Sequence, residues 1–180
     1  MVALGGVGKA LAGEEELLRP PGAQDEARFL KLCLKCDRCR SVCPQTCITI
    51  ATLEQGLVNA RTPRMDFHKG ICDFCGKCAE VCPTGAILPG FDETAERIGI
   101  AVIDRDECLA FSGSGGCRKC IDECPYEAIM LDGTVPRVIA GACNGCGICE
   151  YACPSGSLRA FTGDRKRRGI NVVAQNEVTA

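Results

Sequence analysis

Cysteine recurs in this chain in four runs whose spacing leaves few folds open. The first is Cys33, Cys36, Cys39 and Cys43, followed by Pro44, and the second is Cys72, Cys75, Cys78 and Cys82, followed by Pro83. The third is Cys108, Cys117, Cys120 and Cys124 before Pro125, and the fourth is Cys143, Cys146, Cys149 and Cys153 before Pro154. Cysteines three residues apart in a tight loop can turn three thiolates toward one small body, which is the ligand pattern of a 4Fe-4S cubane. Where two such clusters share a domain, the fourth cysteine of each run serves the other cluster. Gly145 and Gly147 let the backbone take turns with φ > 0 and aim amides at a negative body. Sixteen cysteines in this pattern imply four 4Fe-4S clusters.

The chain has 17 cysteines in 180 residues, an odd number that fits a disulfide framework poorly. Structural zinc usually recruits paired C-x2-C motifs, often with histidine, and the single histidine, His68, lies outside every run. Aromatic residues make up only 4%, so the core is thin and metal must staple it. Four oxidised cubanes with their thiolates would carry the formal charge of -2 to about -10. So acidic a protein repels nucleic acid and favours basic faces on protein partners. No apolar stretch reaches the roughly 18 residues that span a bilayer.

Each run continues alike after its proline: Q-T-C-I, T-G-A-I, Y-E-A-I and S-G-S-L. Repetition is therefore the architecture. In this register the seventeenth cysteine, Cys47, aligns with Ala86, Ala128 and Ser157, a slot for a small buried residue. It is excluded from the ligands, with a spare ligand or redox-active thiol as the minor alternative.

Residues 1–24 read as an end of an export signal and a linker, with Ala10-Leu11-Ala12 as the A-x-A triplet; a disordered Gly/Ala terminus is the other reading. A helix is expected from Asp25 to Leu32, with Asp25 as N-cap. Strands are expected at Met65–His68, Gly99–Asp104, Ala128–Leu131 and Val135–Ala140. The pattern predicts an α+β fold of two tandem ferredoxin-like modules, short strands, cluster loops and short helices held by their clusters. The first covers 25–98 and the second 99–163. Leu109 to Gly116 reads as an inserted surface loop, with a docking lip as the functional alternative. Residues 164–180 read as a basic, flexible tail, whose Arg165 to Arg168 run could also meet an acidic partner or lie peripherally on an anionic membrane.

Runs one and two are paired here, and runs three and four. Cys108, Cys117 and Cys120 then go with Cys153, and Cys143, Cys146 and Cys149 with Cys124. A nested scheme, first with fourth and second with third, is the rival. Fully ligated cubanes leave no open iron site, so the chemistry open to the chain is one-electron transfer rather than catalysis. No dinucleotide fingerprint or substrate constellation accompanies the clusters.

Arg19-Pro20-Pro21-Gly22-Ala23 resembles the NapG type of ferredoxin-type accessory protein. Cys108-Leu109-Ala110-Phe111, Cys117-Arg118-Lys119-Cys120 and Cys143-Asn144-Gly145-Cys146-Gly147 resemble the NapF type. The resemblance, which extends to the MauM proteins, covers about Arg19 to Phe161. It implies four clusters on the sixteen cysteines and electron transfer from a quinol-oxidising membrane subunit to a terminal reductase. Maturation of a molybdenum enzyme such as nitrate reductase is the alternative. It also implies protein redox partners with no small-molecule substrate, and periplasmic location by twin-arginine export, or a cytoplasmic location if the start is not a signal.

Overall fold

The computed structural model describes residues 16–113, 116–158 and 167–175. These fall into two compact units, one built from 16–65 and 76–91, the other from 66–75 and 92–175. The signal-like start and the stretch around Arg165 lie outside the described residues.

In the first unit, α1 spans Glu26–Leu32. Asp25 caps it by accepting a hydrogen bond from the Arg28 amide at 3.0 Å, which satisfies one of the orphan donors of the first turn. Glu26 in the first turn and Lys31 in the last complement the helix dipole. The helix buries Phe29 completely. Next come α2 (Arg38–Val42), β1 (Ile48–Ile50), a 3-10 turn (Leu53–Gln55), β2 (Pro63–Met65) and α3 (Lys77–Glu80). β1 and β2 are antiparallel, with Ile48 opposite Met65 and Ile50 opposite Pro63. α2 and α3, which carry Cys39 and Cys78, pack against each other.

Arg19 ties this unit together. It is only 3% exposed, and it donates to both carboxylate oxygens of Glu26 at 2.7 and 2.5 Å. It also donates to Thr62 Oγ1, the Pro63 carbonyl and Asn59 Oδ1, each at 2.8 Å. Its guanidinium lies 4.6 Å from the Phe29 ring centroid. The planar fork thus joins the chain's entry, α1 and the loop leading into β2 in a way no lysine reproduces. Three residues on, Gly22 has φ +86°, and a Cβ there would lie 2.0 Å from the Leu88 carbonyl oxygen. Arg19→Ala would leave buried Thr62 and Asn59 oxygens without their donor. Because Glu26 is half exposed, the expected loss is at the lower end for a broken buried pair, about 3 kcal/mol, read from denaturant unfolding of the holoprotein. Arg19→Lys should recover less than half of it.

In the second unit, β3 (Ile100–Ile103) pairs antiparallel with β6 (Ile170–Val173), and β4 (Ile129–Asp132) forms a hairpin with β5 (Val135–Val138). Two residues, Gly133 and Thr134, make that turn, and Gly133 supplies the positive φ it requires. Helices α4 (Lys119–Asp122) and α5 (Ile148–Ala152) pack together, and α6 (Ser155–Leu158) follows the last cysteine. α5 rests on β6, where buried Glu150 accepts from the Val172 amide at 2.6 Å and Arg168 donates to the Tyr151 carbonyl at 2.7 Å. The second unit also claims 66–75. Phe67 packs against Gly147, His68 Nε2 lies 3.2 Å from Glu150 Oε1, and the Cys72 amide donates to the Cys146 carbonyl at 2.9 Å.

The helix at Asp25–Leu32 and the strands beginning near Gly99, Ala128 and Val135 stand within a residue or two of expectation. Elsewhere the sequence reading needs correction. The expected strand at Met65–His68 is β2, which ends at Met65 because the residues that follow, 66–75, pack with the second unit. The division does not fall between 98 and 99, since 66–75 and 92–98 pack with the later half. Residues 164–180 are not wholly a tail: Ile170 and Val172 point inward as β6 and are buried. Among the described residues no helix is long and apolar enough to cross a membrane.

Candidate metal centre

The runs follow one backbone path. The residue before the second cysteine has positive φ in every run: Lys35 at 56°, Phe74 at 54°, Gly116 at 89° and Gly145 at 78°. The residue after it repeats this in three runs, at Asp37, Gly76 and Gly147. Left-handed residues at these points throw the loop outward, so that successive cysteines face one volume. At Gly147 no side chain is possible, because a Cβ would lie 2.0 Å from a carbon of the Phe67 ring. The short helix that starts after this loop carries the third cysteine: Cys39, Cys78, Cys120 and Cys149.

Three cavities collect thiols from different runs. Cys33, Cys36 and Cys39 line one together with Cys82, beside Phe29, Ala86 and Ile87. Cys108, Cys117 and Cys120 line another with Cys153, beside Ile103, Leu109 and Ile170. Cys143, Cys146 and Cys149 line a third with Cys124, beside Ile129, Ile148 and Val172. In each, three cysteines of one run meet the fourth cysteine of the adjacent run. Of the remaining four, Cys43 and Cys78 belong to the first unit, while Cys72 and Cys75 belong to the second. Their grouping rests on the register of the runs. Leu109, in the inserted loop, lines the third-run cavity; 114–115 of that loop lie outside the described residues.

The cavities suit a cluster held by thiolate. Their walls are apolar, and backbone amides are aimed at cysteine sulfurs: Ile87 to Cys82 at 3.5 Å, Ala128 to Cys124 at 3.4 Å and Ala101 to Cys143 at 3.5 Å. Among the described residues no three His, Cys, Asp or Glu side chains converge as a single ion would need. A cubane is a larger body, bound by one thiolate at each iron. Burial pushes the Cys39 and Cys120 thiols up to about 12 and Cys146 up to about 11, with neighbouring thiolates adding to the rise. Such thiols stay protonated unless a cation compensates their charge, and iron does so. At Cys82 burial is opposed and outweighed by the Ile87 and Thr84 amides and the Thr84 hydroxyl, so its thiol lies below the ordinary range.

Cys47 is 1% exposed, buried as Ala86 and Ala128 are at the same position of their own repeats. Its sulfur lies 3.7 Å from that of Cys43, and this contact draws the Cys43 thiol down to about 6. Sequence reasoning assigned Cys47 to packing and missed this neighbour. Cys47→Ala should keep the full iron content, whereas Cys43→Ser should lose a cluster. Equal iron loss in both, measured after anaerobic reconstitution, would show that Cys47 is a ligand.

The fourth repeat departs from the others after its proline. In the first three, Thr46, Gly85 and Glu127 take positive φ and return their amides to the Cys43, Cys82 and Cys124 carbonyls. Ser157 instead donates to the Pro154 carbonyl inside α6 and is exposed, so it does not fill the buried slot of Ala86 and Ala128. Buried Ser155 stands beside Cys153 in its place.

The model of the 4Fe-4S dicluster domain family matches residues 32–86, 71–128 and 115–157. The chain is 38% identical over 155 residues to the ferredoxin-type protein NapG of Escherichia coli K12, with 76% of this chain and 65% of that protein aligned. It is 32% identical over 148 residues to NapF of the same organism, with 79% of this chain and 84% of that protein aligned. The methylamine utilization ferredoxin-type protein MauM of Methylophilus methylotrophus is 32% identical, with 76% of this chain and 66% of that protein aligned. The chain thus spans a little under two thirds of the NapG relative's length.

Proposed function

We propose, from the premise that this chain belongs to the family of ferredoxin-type proteins NapG, NapF and MauM, that it carries four 4Fe-4S clusters on sixteen cysteines. In this reading it passes single electrons between a quinol-side donor and a terminal oxidoreductase. The observation that carries the reading is the meeting of three thiols from one run with the fourth of its neighbour, as in tandem two-cluster ferredoxin modules. When bound, the clusters supply reversible one-electron transfer. The chain's own part is to hold them, exclude water and bring them to a surface. Cys36 and Cys75 are exposed, so clusters at their loops would lie where a partner can approach. In the second unit α4, which carries Cys120, packs against α5, which carries Cys149, so the two sites there are near neighbours.

Deleting the gene and then supplying reduced viologen to the terminal enzyme tests the assignment. Restored turnover supports a lost electron carrier. An enzyme that stays inactive with viologen, though its polypeptide is present, would instead assign the protein to maturation of that enzyme.

The compartment proposed is the periplasm, on the A-x-A triplet at Ala10-Leu11-Ala12. Fusion of the codons upstream of Met1, together with Met1 to Ala12, to a reporter that must fold before export should give periplasmic signal dependent on a twin arginine. Signal confined to the cytoplasm would overturn it.

A further inference from the structure

We propose that Ser155 sets the reduction potential of the centre held by Cys108, Cys117, Cys120 and Cys153, by donating its hydroxyl hydrogen to Cys153 Sγ. The inference rests on the reading of Cys153 as an iron ligand. Ser155 is 1% exposed. Its Oγ lies 3.2 Å from Cys153 Sγ and accepts from the Gly169 amide at 2.7 Å. An amide N–H can only donate, and a hydroxyl has a single hydrogen. The Gly169 bond therefore uses a lone pair of Oγ and leaves the O–H for Cys153, which as an iron thiolate has no hydrogen of its own. The direction O–H···S follows without choosing a rotor.

The serine is held in this arrangement by the strand behind it. The Gly169 carbonyl accepts from the Asp104 amide at 3.1 Å at the end of β3. A Cβ on Gly169 would lie 2.7 Å from the Cys108 Cα, so the backbone there is pressed onto the loop of a cysteine of the same site. The other repeats treat the fourth cysteine differently. Cys82 and Cys124 accept from the Ile87 and Ala128 amides, and the Thr84 hydroxyl reaches Cys82 Sγ only at 3.8 Å, against 3.2 Å for Ser155 and Cys153. In the fourth repeat Ser157, in register with Ala128, gives its amide to Pro154 instead. The hydroxyl replaces the missing amide at shorter range.

A hydrogen bond to a ligand sulfur stabilises the more negative, reduced state of a cluster and raises its potential. No proton moves; the donor stays on oxygen in both states. Redox titration of reconstituted Ser155→Ala, followed by electron paramagnetic resonance, should show full iron content and a shift of one cluster to lower potential. The other clusters should keep theirs, and Ser155→Thr should return the shifted one toward the parent value. Full iron content with every potential unchanged would overturn the proposal. If Ser155→Ala fails to fold, resonance Raman spectra of the parent holoprotein decide. Brief exchange into D2O replaces hydroxyl hydrogens before protected amides, and should shift one Fe–S stretching band; an unmoved spectrum counts against the hydroxyl. Failure of the ligand reading is separately visible, because Cys153→Ala would then keep all of its iron.

Discussion

Cys82→Ala should remove the same cluster as Cys39→Ala, although 43 positions separate the two residues in the sequence. Both thiols line one cavity with Cys33 and Cys36. Either variant should fall from about sixteen iron per chain to about twelve after anaerobic reconstitution, and the double variant should also hold about twelve. Independent sites would add, leaving about eight in the double variant. The same test applies to Cys120 and Cys153, which share another cavity. Iron that falls additively in these pairs would refute adjacent pairing and favour a nested arrangement of the runs.

Anaerobic chelation of the iron should abolish the cooperative thermal transition rather than lower its midpoint. The apolar interior is built largely of alanine, isoleucine and cysteine, and Phe29 and Phe67 are its only fully buried aromatic side chains among the described residues. Helices of four to seven residues and strands of three or four cannot stand without support from packing. Without iron, the cavities of each unit would be lined by thiols with nothing to hold the loops together. Metal binding is then folding free energy, and circular dichroism on heating should show a gradual, featureless change in the apoprotein. A sharp apoprotein melt would mean that the polypeptide folds first and receives clusters afterward.

The cysteine runs are legible because cluster chemistry would fix their spacing directly, and the meeting of adjacent runs in three cavities follows the proximity of runs three and four in sequence. What escaped notice depends on partners far away in the chain. β6 is only Ile170-Asn171-Val172-Val173, too short to stand out after a run of basic residues, and it becomes a strand because β3 offers it an edge. The segment 66–75 carries no mark of its allegiance; Phe67 joins the second unit because Gly147 leaves room for its ring. Lys35, Asp37 and Phe74 adopt left-handed backbone conformations that a search for glycine overlooks. Arg19 stands in the stretch that resembles the NapG type, yet nothing in its neighbourhood in sequence announces that it will be buried among Asn59, Thr62 and Phe29. Register, too, served for three repeats and misled at Ser157, where α6 replaces a turn.

The β6 clamp bears on the order of events at the ribosome. Translation delivers Gly169 after every one of the seventeen cysteines, so the amide that orients Ser155 and the backbone pressed onto Cys108 arrive last. The centre bounded by Cys108 and Cys153 cannot reach its finished geometry on a nascent chain whose final strand is still inside the exit tunnel. The first-run cavity needs nothing beyond Ile87. If iron is loaded during synthesis, the early site is complete while the late one still waits for its closing strand.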